Sequence, residues 1–334
     1  MKRLVAAVFA VAVLIGVAAT ATASATHRRD LSYAVGLRSY MFVDTGRSTP
    51  PAGTYSGAPS RTLRTLLIYP AEGDSTNPPI ENAPPKEHGK NFPLLVFSHG
   101  NGGNSMSRFE ELTEPLVRAG FVVAAPTFPL SSAGAPGGPA GAAIDRVNQP
   151  RDVSFVISQI LAIARDDRAL RKTIDSNEIG VIGNSLGGVT TVAVATNSCC
   201  LDARIDAAVS LWGGAVPFPG GSFFTQPTPP LMLVHGDADE TVPYANSVLA
   251  YDQAPSPKAF LTLEGAPHNP FFAPWHDPLI RSIIDFLDGF LGHDPQAIRQ
   301  LPRDANVPGV ASLQEDVSSC HWCGGADRTL GLSE

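Results

Sequence analysis

The sequence predicts an α/β fold, with a mostly parallel central sheet and helices on both of its faces. Strand-like and helix-like segments alternate without interruption between residues 92 and 291. Residues 92–98 form a nearly continuous apolar run, which is typical of a parallel strand buried on both faces. Residues 153–163 instead carry Val, Ile and Leu at helical spacing, so that one face of the segment can cover a sheet. This alternation favours one parallel sheet, and no linker divides the series.

The elements can be assigned in order along the chain. Residues 30–44 and 61–71 alternate as strands do and predict an antiparallel pair, whereas residues 72–91 have the composition of a loop. Residues 107–118 have a helical pattern, and residues 127–149 are rich in Gly, Pro and Ala, which predicts a loop. Further strands are predicted at 92–98, 121–125, 179–182, 205–211, 231–235 and 259–263, and further helices at 150–163, 188–196, 244–251 and 279–291. No large insertion separates residues 211 and 231, so no bulky lid is expected.

A turn centred on Ser185 lies between a β-branched strand and a small-residue helix. Its sequence is Gly183-Asn184-Ser185-Leu186-Gly187. A serine on such a turn adopts a strained backbone conformation that lifts its hydroxyl clear of the sheet, and the glycines let neighbouring elements approach closely. The N-terminus of the following helix also favours negative charge. Ser185 is therefore a candidate nucleophile.

Two further candidates follow other strands of the predicted sheet. Ligands bind at the carboxyl ends of such strands, and Ser185, Asp239 and His268 each follow a different one. A serine hydroxyl needs an imidazole to take its proton, and a carboxylate must hold that imidazole in the correct tautomer. We therefore interpret Ser185 as the nucleophile, His268 as the base and Asp239 as the orienting acid.

Backbone N–H groups near the serine would complete this site, because they stabilise the oxyanion of a tetrahedral intermediate. Leu186 directly follows Ser185, and Asn101 follows His99 and Gly100 at the end of an earlier strand. The sequence predicts that the amides of Leu186 and Asn101 form the oxyanion hole.

Other residues compete for these roles. Asp237 is an alternative acid, and His276 is an alternative base that reads better as a surface or capping residue. His99 and His235 precede glycines at strand ends and are interpreted as structural, while Asp152 is interpreted as a partner of a helix dipole. The sequence contains no Walker-type loop, His-Glu-x-x-His motif or dinucleotide fingerprint, so neither a metal nor a cofactor is expected.

The motifs resemble those of the α/β-hydrolase superfamily. The resemblance lies in the serine turn, in Ser-His-Gly-Asn-Gly-Gly at 98–103 and in Gly-Asp-Ala-Asp-Glu-Thr-Val-Pro at 236–243. The segments Gln-Pro-Arg-Asp-Val-Ser-Phe-Val-Ile at 149–157 and Phe-Ser-His-Gly at 97–100 resemble more narrowly the branch that holds platelet-activating-factor acetylhydrolase and predicted dienelactone hydrolases. The likeness covers about residues 30–292.

This resemblance implies an α/β-hydrolase fold and the order Ser, Asp, His for the triad. It also selects Asp239 over Asp237, because the superfamily pattern places the acid four residues before the proline of Val-Pro. Asn184 departs from the family, in which histidine or tyrosine is common before the serine. We expect its side chain to pack behind the turn and not to affect the chemistry.

The first 25 residues have the features of a secretory signal peptide. Lys2 and Arg3 precede an apolar run, and an Ala-x-Ala motif ends at Ala25. A membrane anchor is the alternative, but the run is short for a bilayer span and no charged stop follows it. We therefore expect a secreted or periplasmic protein with no stable membrane span in its mature form.

Composition narrows the choice of partners. The chain is 16% charged and 43% hydrophobic, which is typical of a globular protein. Its formal charge is −7, and loss of Lys2 and Arg3 with the signal peptide would make it −9. A charge of this sign disfavours nucleic acids and anionic membranes as partners.

In an exported chain, the four cysteines are expected to form disulfides. Cys199-Cys200 and Cys320-x-x-Cys323 form an even set, which favours disulfides with three possible connectivities. We expect the first pair to be linked to the second, because residues after about 300 have little apolar content to hold them. Zinc binding is the alternative, although adjacent cysteines are poor chelators. The predicted division is a signal peptide at 1–25, a hydrolase domain at 26–300 and a disulfide-linked tail at 301–334.

These features together predict a secreted serine hydrolase that cleaves carboxylic esters through an acyl-enzyme on Ser185. The expected substrate is a small-molecule or lipid-like ester with a short to medium acyl chain. A lipase, a polyester hydrolase or a peptidase would use the same triad. A non-catalytic binding module of the same fold is the alternative outside the enzymes.

Overall fold

A ten-stranded sheet forms the centre of the computed structural model, which describes residues 33–87 and 89–317. The expected signal peptide and both tail cysteines lie outside these residues. The strands are β1 (Ala34–Asp44), β2 (Arg61–Ala71), β3 (Ile80–Glu81), β4 (Phe92–Ser98), β5 (Val122–Thr127), β6 (Ile174–Asn184), β7 (Ala207–Leu211), β8 (Leu231–Gly236), β9 (Lys258–Leu263) and β10 (Ala311–Asp316). Their order across the sheet is β10-β9-β8-β7-β6-β4-β5-β2-β1-β3.

The middle of the sheet is parallel and its edges are mixed. Strands β4 to β9 pair in parallel with one another. Strand β2 is antiparallel to both β1 and β5, and β10 is antiparallel to β9, whereas the short β3 is parallel to β1. The predicted antiparallel pair near the start of the chain is confirmed, with Ala34 opposite Ala71 and Asp44 opposite Arg61.

Helices cover both faces of the sheet. A π-helical turn (Phe109–Thr113) leads into α1 (Glu114–Arg118), and the chain continues through α2 (Gly138–Asp145), α3 (Gln149–Asp166), α4 (Arg168–Arg171), α5 (Leu186–Thr196), α6 (Ala245–Gln253), α7 (His276–Phe290) and α8 (Pro295–Ala305). One core layer combines α1, α7 and α8 with Leu95 and Phe97 of β4, and the other combines α3, α5 and α6 with Leu94 and Val96. Because successive side chains of a strand point to opposite faces, these layers lie on the two sides of the sheet. The predicted fold class is confirmed.

Two segments differ from the sequence-based expectation. The helical pattern at 107–118 is divided between the π-helical turn and α1, and Pro115 occupies the first turn of α1, where a proline removes no hydrogen bond. The expected loop at 127–149 contains α2, which ends at the buried Asp145. The Gly, Pro and Ala content of this segment is typical of a loop and does not indicate the helix. Asp145, at the end of α2, instead bonds to Arg61, Leu130 and Ser131.

The chain beyond residue 300 is integrated into the domain as far as the structure describes it. The expected boundary at 300 lies within α8, and β10 extends the sheet to Asp316. Leu301, Ala305 and Ala311 are buried against the α7 layer. These few apolar residues are enough to attach the segment to the domain, because they lie at helical spacing on α8 or on a strand that pairs with β9.

Cys199 and Cys200 form a disulfide with each other. The expected link from this pair to Cys320 and Cys323 is therefore not the pairing in the structure. The two cysteines are adjacent in a turn that follows α5, with their Cα atoms 3.8 Å apart, so their sulfur atoms meet without any contribution from the tail.

Residues 212–230, between β7 and β8, form a loop without a helix or strand. This agrees with the expectation that no bulky lid is inserted there. Within 33–87 and 89–317, no helix combines the length and the apolar character needed to cross a bilayer.

Candidate active site

Ser185 occupies the sharp turn between β6 and α5. Its backbone has φ 56° and ψ −119°, a conformation that costs a non-glycine residue free energy and recurs at functional sites. A Cβ at Gly183 would collide with the backbone of Gly187, and a Cβ at Gly187 would collide with the carbonyl oxygens of Ser98 and His99. The two glycines therefore allow the turn to form and bring the end of β4 against it.

Ser185, His268 and Asp239 form a continuous hydrogen-bonded chain. The Ser185 Oγ lies 3.0 Å from His268 Nε2, and His268 Nδ1 lies 2.7 Å from Asp239 Oδ2. An ionised carboxylate can only accept, so Nδ1 carries the proton and Nε2 is free to accept the serine hydroxyl hydrogen. The structure thus brings together the three residues that the sequence predicted, each in the geometry that its proposed role requires.

The carboxylate of Asp239 is buried and held by donors. Its Oδ1 accepts the N–H groups of Thr241 and Val242 at 2.8 and 2.9 Å. Burial raises the pKa of Asp239, but the hydrogen bonds from His268, Val242 and Thr241 outweigh burial and leave the pKa below its usual value. Asp239 is therefore ionised at neutral pH, as an orienting acid must be.

His235 is a second histidine on the same carboxylate. Its Nε2 lies 3.2 Å from Asp239 Oδ2 and 3.1 Å from the carbonyl oxygen of Val242, so this nitrogen carries a proton and donates. Its Nδ1 lies 2.7 Å from Ser247 Oγ and accepts that hydroxyl. Burial lowers the pKa of His235 despite these carbonyl and carboxylate partners, so its ring is neutral. The prediction that His235 is structural is confirmed, and the group that it holds in place is the carboxylate of Asp239.

The loop after β4 presents the predicted oxyanion amide of Asn101. Phe128 donates its N–H to His99 Nε2 at 3.0 Å, so the proton of His99 is on Nδ1, which donates to the carbonyl oxygen of Gly100 at 2.7 Å. Burial lowers the pKa of His99 to about 4 and keeps the ring neutral. The expectation that His99 holds a loop by hydrogen bonds is thereby confirmed.

Asn101 and Leu186 are both next to the candidate nucleophile. Asn101 lines the same cleft as Ser185, and Leu186 is the first residue of α5, directly after the serine. In the described part of the chain, neither N–H donates to a protein acceptor. Both amides lie near Ser185 without a protein acceptor among the described residues, and their role as the oxyanion hole stays a prediction.

A buried ionic cluster is connected by hydrogen bonds to the loop that carries Asn101. Arg61 is fully buried and forms ion pairs with Asp145 and Asp152, and Asp145 in turn accepts the N–H of Leu130 and the hydroxyl of Ser131. The carbonyl oxygen of Ser131 accepts the N–H of Gly102 at 2.7 Å. Asp152 is thus a partner of a buried arginine and not simply of a helix dipole.

Gln149 joins this cluster to the serine helix. Its Nε2 donates to Ser131 Oγ at 2.7 Å, and its Oε1 accepts the hydroxyl of Thr190 on α5. All three side chains are buried.

Ser185 and His268 line a cleft of about 480 Å³. Arg108, a residue with φ 59°, lies at its wall, and its guanidinium carbon is 4.8 Å from the centre of the Phe271 ring. The residues that line the cleft are Gly100, Asn101, Gly102, Gly103, Ser107, Arg108, Asn184, Ser185, Thr241, His268 and Asn269. Most of this surface is polar, and the nucleophile is directly accessible from it.

The competing residues lie elsewhere. Asp237 is exposed and accepts the N–H of Gly265, and it has no contact with His268. His276 begins α7 and its Nε2 bonds to the carbonyl oxygen of Glu111. Neither residue is placed to replace Asp239 or His268. Within the described residues, no group of His, Cys, Asp or Glu side chains has an arrangement that could hold a metal ion.

Comparison with family models matches residues 82–256 to the dienelactone hydrolase family, which is just over half of the 334-residue chain. The chain belongs to the dienelactone hydrolase family. The matched segment of this family member includes Asn101, Ser185 and Asp239, and His268 lies twelve residues beyond its end. The resemblance inferred from the motifs is confirmed.

Among solved structures, a ferulic acid esterase from Streptomyces cinnamoneus is similar to this family member. It has a TM-score of 0.55 and 21% sequence identity, and the alignment covers 81% of this chain and 93% of that one. At this level of identity the likeness shows the fold. No curated protein matches the chain.

Four residues near the triad were not found as functional candidates by sequence reasoning. They are Arg108 in the cleft, Asn184 before the serine, Trp212 after β7 and Asn269 after the histidine. Asn184 was recognised only as a departure from the family. The adjacency of Asn184 and Asn269 to the triad was visible in the sequence, but the pairing of their side chains depends on how β6 and β9 are placed in the sheet.

Proposed function

We propose that this chain is a serine hydrolase that cleaves carboxylic esters through an acyl-enzyme on Ser185. The observation that carries the proposal is the unbroken hydrogen-bonded chain from Ser185 through His268 to Asp239 at the wall of an open cleft. Membership of the dienelactone hydrolase family supports a hydrolase. A lactone is a cyclic ester, and the similar solved structure is named as an esterase, so both comparisons support ester substrates.

In the first half of the proposed reaction, Ser185 Oγ attacks the ester carbonyl carbon while His268 Nε2 takes the hydroxyl proton. Asp239 stabilises the resulting imidazolium, because it is ionised and already bonded to Nδ1. The amides of Asn101 and Leu186 stabilise the tetrahedral oxyanion. Collapse of this intermediate breaks the bond to the alcohol, which leaves with the proton held by His268.

The second half of the reaction repeats these steps with water. His268 Nε2 takes a proton from a water molecule as the water attacks the acyl carbon of the Ser185 ester. The same two amides hold the second oxyanion. Its collapse releases the acid and returns the proton to Ser185 Oγ.

We propose short to medium acyl chains as substrates. The cleft of about 480 Å³ is open and mostly polar, and residues 212–230 supply no helical lid to enclose a long chain. A long acyl chain would therefore remain largely in water and gain little binding free energy.

Hydrolysis of p-nitrophenyl esters from acetate to palmitate by residues 26–334 tests this function. We expect kcat/KM to fall as the acyl chain lengthens, and the Ser185→Ala variant to lose about 10⁴-fold or more of kcat while remaining folded. A Ser185→Ala variant as active as the wild type would contradict the nucleophile. Failure of the wild type to turn over any ester would contradict the ester class.

We also propose that the protein is exported and that its signal peptide is removed. The support is the basic, apolar and Ala-x-Ala pattern of residues 1–25. Expression of the full chain in a bacterial host, with N-terminal sequencing of the exported product, should give a protein that begins at Thr26. Retention of the intact N-terminus in the membrane fraction would indicate an anchor instead.

A further inference from the structure

Asn184 lies between two parts of the active site that have to act on the same substrate. It is the last residue of β6, directly before Ser185, and it is 5% exposed. Its Oδ1 accepts the N–H of Gly100 at 3.2 Å, and its Nδ2 donates to Asn269 Oδ1 at 3.1 Å. One side chain therefore joins the oxyanion loop to the residue that follows His268.

The direction of each hydrogen bond in this network is fixed from both ends. The Gly100 N–H can only donate, so the oxygen of Asn184 must face it and the nitrogen must face Asn269. The indole N–H of Trp212 can also only donate, and it donates to the same Asn269 Oδ1 at 3.0 Å. Asn269 therefore accepts from both neighbours, and neither amide can be reversed without placing two donors or two acceptors face to face.

On the oxyanion side, two hydrogen bonds hold the two peptide units that flank the Cα atom of Gly100: Asn184 holds the unit before it, and His99 holds the unit after it, which contains the N–H of Asn101. Asn184 holds the N–H of Gly100, and His99 Nδ1 holds its carbonyl oxygen at 2.7 Å. In a trans peptide the N–H of the next residue points away from that carbonyl oxygen. The N–H of Asn101 is consequently turned away from His99, and it is left without a protein acceptor in the described residues.

On the base side, the network anchors the backbone next to His268. Asn269 has φ 59°, a left-handed conformation that asparagine tolerates better than most residues. Its side chain is tied to Asn184 and to the buried Trp212, whose ring lies edge-on to His268 with 6.4 Å between centroids. The backbone of His268 thus continues directly into Asn269, whose side chain is hydrogen-bonded to Asn184 and Trp212.

We propose that Asn184 is a positioning residue that aligns the oxyanion amide of Asn101 and the base His268 with respect to each other. It acts through Gly100 and Asn269, the two residues to which its side chain is hydrogen-bonded. The proposal rests on the serine hydrolase function proposed above. It also replaces the sequence-based expectation that the Asn184 side chain merely packs behind the turn.

The first test compares Asn184→Ala with Asn269→Ala and a matched control. Asn184→Ala removes both connections and should lower kcat about 10²-fold with little change in KM, whereas Asn269→Ala removes only the connection to His268 and should lower kcat less. Asn197→Ala is the control, because Asn197 is also buried, with Oδ1 bonded to the N–H of Cys199 at the opposite end of α5. We expect it to leave kcat unchanged.

The second test uses Asn184→Asp and the pH dependence of its activity. An ionised Asp at 184 can still accept from Gly100 but places an acceptor against Asn269 Oδ1, while a protonated one can donate its O–H there. The ratio of variant to wild-type kcat/KM should therefore rise at least threefold between pH 8 and pH 5.5. A purely structural role would leave this ratio independent of pH.

Several outcomes would overturn the proposal. They are an Asn184→Ala variant within threefold of the wild-type kcat, a loss of kcat equalled by Asn197→Ala, or a pH-independent ratio for Asn184→Asp. The Ser185→Ala variant separates these outcomes from failure of the proposed function. If Ser185→Ala retains ester hydrolysis, the nucleophile is wrong; if it is inactive while Asn184→Ala is fully active, only the role of Asn184 is wrong.

Discussion

Asp239 bonds to His268, and Asn101 lines the cleft beside Ser185, but the two residues are supported in different ways. Asp239 is held by His235, Thr241 and Val242, all within four residues of it in the chain. The loop of Asn101 is held by residues far away in sequence, since Asn184 lies 84 positions from Gly100 and Phe128 lies 29 positions from His99. The acid is thus fixed by its own turn, whereas the oxyanion loop depends on the packing of distant elements.

Local support of Asp239 and distant support of the Asn101 loop should respond differently to substitution. A substitution on the acid side should damage the chemistry through one carboxylate and leave the rest of the fold intact. A substitution below the oxyanion loop should also destabilise the fold, because Arg61, Asp145 and Gln149 connect that loop to β2, α2 and α3. Four variants, in decreasing order of effect, test this difference between the two regions.

The largest effect is expected from Asp239→Asn. The amide cannot accept from His268 as a carboxylate does and favours the wrong imidazole tautomer, so kcat should fall about 10⁴-fold with the fold retained. Asp237→Asn is the matched control, because Asp237 is exposed and asparagine can still accept the N–H of Gly265. Steady-state ester hydrolysis checks both variants. If Asp237→Asn showed the large loss and Asp239→Asn did not, the acid would be misassigned.

A smaller effect, on stability, is expected from Arg61→Met. Removal of the guanidinium leaves Asp145 buried without a cation and Asp152 with Arg47 alone, which should lower the free energy of unfolding by about 3–5 kcal/mol. Arg38→Met is the control, since Arg38 and Asp167 form a partly exposed pair whose loss should cost about 1 kcal/mol or less. Urea unfolding followed by circular dichroism measures the difference. An equal decrease in the free energy of unfolding of the two variants would mean that the buried cluster stabilises the fold no more than the partly exposed ion pair does.

The third prediction concerns the pH dependence of stability through His99. Its folded pKa, about 4, lies below its unfolded value, so between pH 6.5 and pH 4 the unfolded chain binds a proton that the folded chain does not. The free energy of unfolding should therefore fall by up to about 3 kcal/mol as the pH falls through this window. His99→Gln does not titrate there and should show a flatter profile in urea unfolding at pH 7, 5.5 and 4.5. Identical slopes for the two proteins would contradict a buried neutral His99.

The smallest effect is expected at the far end of α5, away from both supports. Replacement of Cys199 and Cys200 by serine opens a disulfide between adjacent residues, so it should lower the free energy of unfolding by only about 1 kcal/mol and leave kcat unchanged. A link from this pair to the tail would close a loop of more than a hundred residues, and its loss would cost about 5 kcal/mol. The size of the change in urea unfolding therefore distinguishes local pairing from a link to the tail.

The sequence was sufficient to predict the parallel core and the proximity of Ser185, Asp239 and His268. Buried parallel strands read as apolar runs, as β4 and β8 do, and the residues that end such strands meet at one edge of the sheet. Ser185, Asp239 and His268 could therefore be placed together without coordinates. The local motif around Asp239 contains all but one of its partners, and this made the acid side the easiest part of the site to interpret.

The remaining features depend on contacts between distant residues. The helix α2 was taken for a loop because its composition is that of a loop, and only the bonds of Asp145 to Arg61 and Ser131 show why it is ordered. Strand β10 was missed because Ala311 to Asp316 is mostly polar, although it pairs with β9 along its whole length. The role of Asn184 is not visible in the sequence, because neither of its partners, Gly100 and Asn269, is near it along the chain.

The residue that reacts with a fluorophosphonate identifies the nucleophile directly. This reagent phosphonylates a serine only where a base and an oxyanion hole activate it. We expect peptide mass spectrometry of the treated protein to find one label, on Ser185, together with complete loss of esterase activity and no label on Ser185→Ala. A protein that keeps its esterase activity unlabelled, or that is inactivated by a label on another residue, would contradict the assignment of Ser185 as the nucleophile.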